Sequence, residues 1–298
     1  LFRSRPGDER NLLLNDRQVK FEKYLTDAFS EKAVEFINES SQPFMMYLAY
    51  NAVHTPMQAT DEDMAKFEGH PRQKLAAMTY ALDRGVGTVI RGLKDSGKFD
   101  NTLIFFLSDN GGATTNQSSN YPLKGFKGNK FEGGHRVPYF VVWKNGIPAG
   151  KPYDGLVSSL DIFATAIDAA SISKTRNRLD GVSLLPYLKG KKGEPHKVLY
   201  WRKMDTRAIR SGDYKLIITH GVDSVLYNIR RDPEEMNNLI NKEPDLYRKL
   251  AKKLAKWEKN ECIEPSWLEE GWRKITNRYH QQLMHNEIKT AQDLYKKK

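Results

Sequence analysis

Three side chains near the middle of the sequence could together hold an anionic ester. Asp109 and Asn110 come directly after the apolar run 103–107 and before two glycines. A carboxylate beside an amide carbonyl offers two hard oxygen ligands of the kind that calcium or magnesium takes. Lys127 follows in a turn flanked by glycines and could bring a positive charge to the same pocket. The Asp-Asn-Gly-Gly sequence is also an ordinary turn, because Asn and Gly tolerate positive φ.

Two short apolar runs predict the strands that position these side chains. Residues 103–107 form a continuous apolar run, too short for a typical helix, and this pattern suits a strand buried on both faces of a parallel sheet. Residues 44–50 are a second candidate for a buried strand, and His54 follows them. Ligands bind at the carboxyl ends of strands in open α/β sheets. His54 would therefore reach the same edge, although a loop histidine before Thr-Pro is usually only a turn residue.

Helical and strand patterns alternate over the first two-thirds of the chain. Helices are predicted over residues 26–38, 72–93 and 159–170, and a further strand over residues 137–143. This alternation predicts an α/β fold with a mostly parallel sheet flanked by helices. Residues 1–23 are polar and are interpreted as a loop.

The pattern changes near Gly190, where a hydrophilic linker is predicted. Four short alternating runs at 198–201, 207–210, 214–219 and 225–228 then predict an antiparallel meander, and a helix over 244–259 would cover it. We therefore predict three parts: a main domain over 1–192, a small C-terminal antiparallel α+β domain over 193–262, and a tail over 263–298 packed on the main body.

Composition limits the possible functions of the 298 residues. The net charge is +11, but the basic residues are spread along the chain and do not form a nucleic-acid-binding pattern. No apolar run is long enough for a transmembrane helix, and the given residues carry no signal-peptide pattern. One cysteine, Cys262, excludes an internal disulfide. The chain begins with Leu1, so we expect it to be processed or cut from something longer.

Several short motifs occur in one order along residues 20–260. They are Tyr24-Leu25-Thr26-Asp27, Ala52-Val53-His54-Thr55-Pro56, Leu107-Ser108-Asp109-Asn110-Gly111-Gly112, Pro122-Leu123-Lys124-Gly125-Phe126-Lys127-Gly128, Glu132-Gly133-Gly134-His135-Arg136-Val137-Pro138, Leu160-Asp161-Ile162-Phe163 and Asp180-Gly181-Val182-Ser183-Leu184. As an ordered set, this series resembles the type I, formylglycine-dependent sulfatases, or arylsulfatases, of the alkaline-phosphatase superfamily. The resemblance covers the C-terminal two-thirds of such a protein and implies an alkaline-phosphatase-like fold.

The resemblance implies roles for individual residues. Asp109 and Asn110 match the family's Asp-Asn pair, which binds calcium rather than magnesium. Lys127 matches the lysine that contacts the sulfate oxygens. His54 matches the histidine that hydrogen-bonds the sulfate or the leaving group, so both His54 and Lys127 are predicted to be catalytic and substrate-binding.

Other charged residues near these motifs receive no catalytic role. Lys124 and Lys130 are interpreted as surface lysines. Glu132 and Arg136 are interpreted as structural contacts.

The sequence departs from the family at the nucleophile. The family's modified Cys or Ser lies in a Cys/Ser-x-Pro-x-Arg motif, which does not occur in this sequence. The spacing around Cys262 is wrong, Ser4-x-Pro6 is followed by Asp8 in place of Arg, and Ser41-x-Pro43 is followed by Met45. Formylglycine is therefore expected from a missing N-terminal segment, and this chain alone is expected to be inactive.

The resemblance predicts a sulfuric ester hydrolase that acts on an aryl sulfate or a sulfated carbohydrate. Two alternatives stay open: a non-catalytic remnant that binds anionic glycans or supports a partner chain, and a phosphodiesterase or phosphonate hydrolase of the same superfamily. The expected partners are the sulfated substrate and, in one version, a separate chain that carries the N-terminal third. Neither nucleic acid nor a membrane span is expected, and the resemblance implies a periplasmic or extracellular location.

Overall fold

The computed structural model describes residues 12–15, 17–19, 23–172, 178–262 and 270–296. It divides into two compact units, Leu1–Thr102 and Leu103–Lys298. The domain boundaries expected at residues 192 and 262 stay predictions. The stretch 4–8, considered above for a nucleophile, and residues 263–269 of the tail lie outside the described residues.

The first unit is built on two packed helices. It starts with a hairpin of β1 (Leu12–Leu14) and β2 (Arg17–Val19), where a loop was predicted. Helix α1 (Leu25–Glu39) packs on α3 (Gln73–Asp95), with the short α2 (Asp61–Ala65) between them in sequence and a 3-10 turn (Phe99–Asn101) after them. The two long helices were predicted correctly, because each carries an apolar face at helical spacing.

Glycine in α3 allows the close approach of α1. A Cβ on Gly92 would lie 2.8 Å from the Cγ2 atom of Val34, and one on Gly85 would lie 2.7 Å from the Ser30 hydroxyl oxygen. Glycine weakens a helix locally. Here it provides the space in which Val34 and Ser30 pack.

An ion pair network ties the three helices of the first unit together. Arg84 on α3 binds Asp63 of α2 at 2.7 Å and Asp27 of α1 at 2.9 Å. Asp63 is buried, and the hydrogen bonds from Arg84 lower the pKa of its carboxyl. Asp27, which belongs to the first motif of the series, therefore has a structural contact.

Residues 44–50 are extended but are not a strand of a sheet. Their side chains alternate between half-buried and exposed, with Met45 at 68% and Tyr47 at 90% exposure. The prediction of a strand buried on both faces is wrong for these residues, because no described strand pairs with them and one face stays uncovered in this unit.

The second unit begins with two paired strands, β3 (Ile104–Leu107) and β4 (Tyr139–Val142). They are antiparallel, with Ile104 opposite Val142, whereas the sequence predicted a parallel arrangement. The connection contains only one short helix, α4 (Glu132–His135), whereas parallel strands are usually joined by a crossover built on a full α-helix. Phe106 and Phe140 are 39% and 55% exposed, so burial on both faces is not found in the described unit.

Helices α5 (Asp161–Ala169) and α6 (Leu185–Leu188) follow, and a four-stranded antiparallel sheet then forms the core of the unit. Its strands lie in sequence order: β5 (Val198–Lys203), β6 (Thr206–Ser211), β7 (Tyr214–Thr219) and β8 (Asp223–Asn228). One face packs on α7 (Pro244–Glu261) through Leu250 and Leu254. The α/β class and the smaller antiparallel sheet with its covering helix are confirmed.

The other face of this sheet packs on the loop 124–131 and the C-terminal helices. Helices α8 (Glu270–Met284) and α9 (Asp293–Lys296) were not predicted. The shared core contains Phe126, Phe131, Tyr227 and Leu283. The C-terminal segment therefore packs within the second unit. In the described ranges, no helix has the length and apolar character needed to cross a membrane.

Candidate functional site

Asp109 and Asn110 lie at the carboxyl end of β3, as predicted. The Asp109 side chain is exposed, and no described residue donates a hydrogen bond to its carboxylate. Asn110 uses its Nδ2 atom to donate to the Gly111 carbonyl at 3.1 Å, which leaves its amide oxygen for another contact. The turn is held by the Ser108 hydroxyl, which donates to the Asn110 carbonyl at 2.8 Å. Two adjacent hard oxygens are therefore available for a ligand.

These two oxygens fit part of a calcium site. Calcium takes six to eight oxygen ligands, so a dipeptide supplies only a minority of them. Among the residues that the structure describes, no group of three or more His, Cys, Asp or Glu side chains could hold a metal. A complete site at Asp109 and Asn110 would need further ligands.

Gly111 fixes the Asp-Asn turn against α4. Its amide donates to the Gly134 carbonyl at 3.1 Å, and a Cβ on Gly111 would lie 1.8 Å from the carbonyl oxygen of Gly133. No side chain fits there without moving one backbone segment away from the other. The turn that presents Asp109 is therefore tied to the Glu-Gly-Gly-His motif.

Gly111→Ala is expected to lower the free energy of unfolding by more than about 2 kcal/mol, because the clash is with backbone. The measurement is a urea unfolding curve. Gly271→Ala is the matched control, since nothing lies within 4 Å of the added Cβ there, and it should change stability by less than about 1 kcal/mol. Equal stability of the two variants would contradict this packing.

Lys127 lies beside the same turn. Its backbone amide donates to the Gly112 carbonyl at 3.0 Å, and its side chain is exposed. Asn120 reinforces the junction: its Oδ1 accepts from the Gly112 amide at 2.7 Å, and its Nδ2 donates to the Gly125 carbonyl at 3.1 Å. The backbone of Lys127 is therefore joined to the turn that follows Asp109 and Asn110, and the expectation that its charge enters the same pocket stays a prediction.

His54 belongs to the first unit and follows the extended segment 44–50. Its side chain is exposed, and its Nδ1 atom lies 2.6 Å from the Thr55 carbonyl. A carbonyl only accepts hydrogen bonds, so Nδ1 carries a proton and the neutral ring presents Nε2 as an acceptor. The peptide bonds Ala52-Val53 and Thr55-Pro56 on either side of His54 are cis.

The loop that carries Lys127 is anchored by a buried charge cluster; sequence reasoning gave Glu132 a structural contact but missed its partners. We define the anchor cluster as Glu132, His135, Lys215 and Glu235. The Lys215 Nζ atom lies 2.8 Å from a Glu132 oxygen and 2.9 Å from a Glu235 oxygen. The Glu132 amide donates to Glu235 at 2.6 Å. Glu235 and Lys215 lie on the C-terminal side of the chain, so the contact joins the Lys127 loop to the four-stranded sheet.

Burial and charge set the protonation of the anchor cluster. Burial alone would raise the pKa of Glu132, but the Lys215 ammonium and His135 outweigh it and hold that pKa well below its usual range. Burial raises the pKa of Glu235 to about 7. Burial and the Lys215 charge lower the pKa of His135 to about 4, and its ring stacks on Trp201 at 4.4 Å. His135 is therefore a neutral structural residue at pH 7.

Glu235→Gln is expected to be more favourable to stability at pH 8 than at pH 5, by about 2 kcal/mol. The folded protein binds the Glu235 proton more tightly than the unfolded chain does, so this group stabilises the fold below pH 4.5 and that contribution is lost as the pH rises to about 7. Gln does not titrate and avoids the loss. Urea unfolding at both pH values measures the difference, with the exposed Glu194→Gln as the matched control. The same effect of Glu235→Gln at both pH values would contradict the prediction.

Lys124 is buried, which corrects its interpretation as a surface lysine. Its Nζ atom donates to the Glu235 carbonyl at 3.0 Å and to the Asn286 side chain at 2.5 Å. It also lies over the ring of Phe131, 4.9 Å from the centroid. Burial lowers the pKa of Lys124 to about 8. No local pattern distinguished Lys124 from an exposed lysine, because its partners are more than 100 residues away in sequence.

Comparisons with known proteins place these features in a family. The family described as Sulfatase matches residues 2–172, and the one described as N-sulphoglucosamine sulphohydrolase, C-terminal, matches residues 127–260. The uncharacterized sulfatase YdeN of Escherichia coli K12 is 39% identical over 201 residues, which are 64% of this chain and 36% of YdeN. The N-acetylgalactosamine-6-sulfatase of Canis lupus familiaris is 32% identical over 199 residues, 64% of this chain and 38% of that enzyme.

A solved structure shares the fold over most of the chain. Ps i-CgsB in complex with k-i-k-neocarrahexaose superposes with a TM-score of 0.79 and 36% identity, covering 89% of this chain and 61% of that one.

A sulfatase from Formosa agariphila is 28% identical over 283 residues, which are 79% of this chain and 50% of that protein. The chain thus spans between 36% and 50% of the length of these curated relatives.

Proposed function

Because this chain belongs to the sulfatase family, we propose that it carries part of the active site of an enzyme that hydrolyses sulfate esters. The observation that carries the proposal is the 3.0 Å hydrogen bond from the Lys127 amide to Gly112, which joins a lysine to the Asp109-Asn110 turn. A lysine and two hard oxygens on segments that this backbone bond joins suit a sulfate group and a metal. The substrate class we propose is a sulfated carbohydrate or aryl sulfate, since relatives of this chain are named as an N-acetylgalactosamine-6-sulfatase and an arylsulfatase.

In this proposal Lys127 binds the sulfate oxygens. Negative charge grows on the sulfuryl group and the leaving-group oxygen during transfer. The exposed Lys127 ammonium neutralises this charge, which is the usual role of a fixed cation at such a centre. Asp109 and Asn110 would hold calcium through their side-chain oxygens, and the bound ion would supply further positive charge to the sulfate. Both contributions act in the transition state more than in the ground state.

His54 is proposed to assist departure of the alcohol. Its Nδ1 proton is engaged by the Thr55 carbonyl, so Nε2 can give a proton only when the ring is an imidazolium. The neutral ring could still accept a hydrogen bond from the substrate at Nε2.

The nucleophile is proposed to come from outside this sequence. Formylglycine would arise from a Cys or Ser in a motif that these 298 residues do not contain. It would be supplied by further residues of the same polypeptide or by a separate chain, and we infer that this stretch does not turn over sulfate by itself. A periplasmic or extracellular location is part of the same proposal.

The test compares sulfate with phosphate esters of one alcohol on the protein in its natural length. The proposal predicts release of sulfate at a higher kcat/KM than release of phosphate. A preference for the phosphate diester or phosphonate would assign the protein to the phosphodiesterase and phosphonate hydrolase class. Binding of sulfated glycan without release of sulfate would instead support a non-catalytic role.

A further inference from the structure

A second cation from the C-terminal sheet lies against the Lys127 loop. Lys203 ends β5 at the hairpin with β6, where it pairs with Thr206. Its Nζ atom lies 3.0 Å from the position that a Cβ on Gly128 would take. Gly128 follows Lys127 directly, so the Lys203 ammonium reaches the backbone next to the candidate sulfate-binding lysine.

Lys130 adds a third cation to the same loop. It was interpreted as a surface lysine, but its side chain is half-buried. Burial, followed by the charges of Lys203 and Lys215, lowers the pKa of Lys130 to about 8. Burial and the charge of Lys127 likewise lower the pKa of Lys203. The Lys203 charge therefore acts on Lys130, and the Lys127 charge acts on Lys203.

No carboxylate compensates the two added cations. Within the part of the chain that the structure describes, neither Lys130 nor Lys203 forms an ion pair, and the charges that act on them are all positive. Lys215 differs, because Glu132 and Glu235 bind it directly. Like charges that are partly removed from water raise the free energy of the protein unless an anion binds between them.

Two buried polar atoms near these lysines are also left without partners among the described residues. Asn129 precedes Lys130 and is 3% exposed, and its Nδ2 atom has no acceptor. His280 is fully buried, with Nδ1 2.8 Å from the Thr276 carbonyl and Nε2 without a partner. The charges of Lys130 and Lys203 both act on its ring, although burial is the main cause that lowers the pKa of His280 to about 4. Among the described residues, one buried donor, the Asn129 amide, and one buried acceptor, Nε2 of the neutral His280 ring, therefore lack partners in this region.

We infer that Lys130 and Lys203 form a second anion-binding subsite beside Lys127, which takes a second sulfate group on the same saccharide. This inference rests on the proposed function, since it assumes that Lys127 holds the sulfate that is removed. The preferred substrate would then be a saccharide with two sulfate groups, one held for hydrolysis and one for recognition. The β5–β6 hairpin, which carries Lys203, would determine substrate specificity. The loop that carries Lys127 would hold the sulfate group that is hydrolysed.

The test is the kcat/KM of the protein in its natural length on a monosulfated disaccharide and on its disulfated counterpart. Lys203→Met and Lys130→Met are each expected to lower kcat/KM for the disulfated sugar about tenfold, through KM, and to leave the monosulfated sugar within about twofold. Lys203→Arg should retain the preference. The matched control is Lys197→Met, an exposed lysine before β5, which should change neither value.

The subsite would be overturned if the Lys203→Met and Lys130→Met variants lost kcat/KM equally on both sugars, or lost none on either. Failure of the proposed function looks different: wild-type protein would then hydrolyse neither sugar. In that case calorimetric titration with the same two sugars makes the comparison, and Lys203→Met must still weaken binding of the disulfated sugar alone if the subsite is real. Met keeps the unbranched apolar stem of Lys203, so this arm does not depend on refolding.

Discussion

Lys127→Ala is expected to lower kcat/KM for a sulfate ester by about 100- to 1,000-fold in the protein of natural length, the usual effect of removing one group that stabilises transition-state charge. The side chain is exposed, and the loop is held by the backbone bond from residue 127 to Gly112 and by Asn120, so the variant should fold normally. The loss should appear mainly in kcat if Lys127 acts in the transition state.

The matched control is Lys151→Ala, an exposed lysine of the same unit with no role in the proposed site. The Lys151→Ala variant should keep kcat/KM within about twofold of wild type. This result would exclude the loss of one positive charge anywhere on the surface as the cause of the effect. Asp109→Ala should lose activity to a similar degree as Lys127→Ala, because its carboxylate is the charged member of the proposed metal pair. Near-normal rates in both Lys127→Ala and Asp109→Ala would contradict the site.

Lys215→Met is expected to lower the free energy of unfolding by about 3–5 kcal/mol, the effect of removing one partner from a buried ion pair. Lys215 and Glu235 are fully buried and Glu132 is 5% exposed, so the change leaves two carboxylates without a cation. One of them can take up a proton, as the raised pKa of Glu235 indicates. The pKa of Glu132 must then rise, so that its carboxylate takes up a proton, or the carboxylate must stay charged without Lys215, its main partner.

Urea unfolding measures this loss, and the exposed Lys252→Met on α7 is the control for removing a lysine. Adding Glu132→Gln to Lys215→Met should recover part of the lost stability, because it removes the uncompensated charge. The account is wrong if Lys215→Met stays within 1 kcal/mol of wild type, or if the second change makes it worse.

Local patterns in the sequence were enough to predict several of the elements and to single out the exposed candidate site residues. The helical spacing of α3 and the alternation in β5 to β8 depend on neighbours within one element, so both were predicted. Asp109, Asn110 and Lys127 lie within 18 positions of one another, and short motifs carried their prediction. Gly111 explains why a short motif is informative here. The backbone at Gly111 lies so close to Gly133 that only glycine fits, which fixes the residue type at this position.

Contacts between distant segments were not visible in the sequence. Lys124 binds Asn286, and Lys215 binds Glu132, across 162 and 83 positions. The sequence does not distinguish a buried lysine from a surface lysine. Only the residues that contact it in the folded protein show whether it is buried. The antiparallel pairing of β3 with β4 was missed for the same reason, since an apolar run predicts burial and leaves direction undetermined.

The most direct test of the central claim is the release of sulfate from a sulfated saccharide by the protein of natural length, after removal of metals with a chelator and after return of calcium. The account predicts negligible release without metal and recovery with calcium, and no recovery when Asp109 is replaced by Ala. Release that is equal with and without calcium would contradict the metal role of Asp109 and Asn110. Absence of release under every condition would contradict the assignment of sulfate ester hydrolysis.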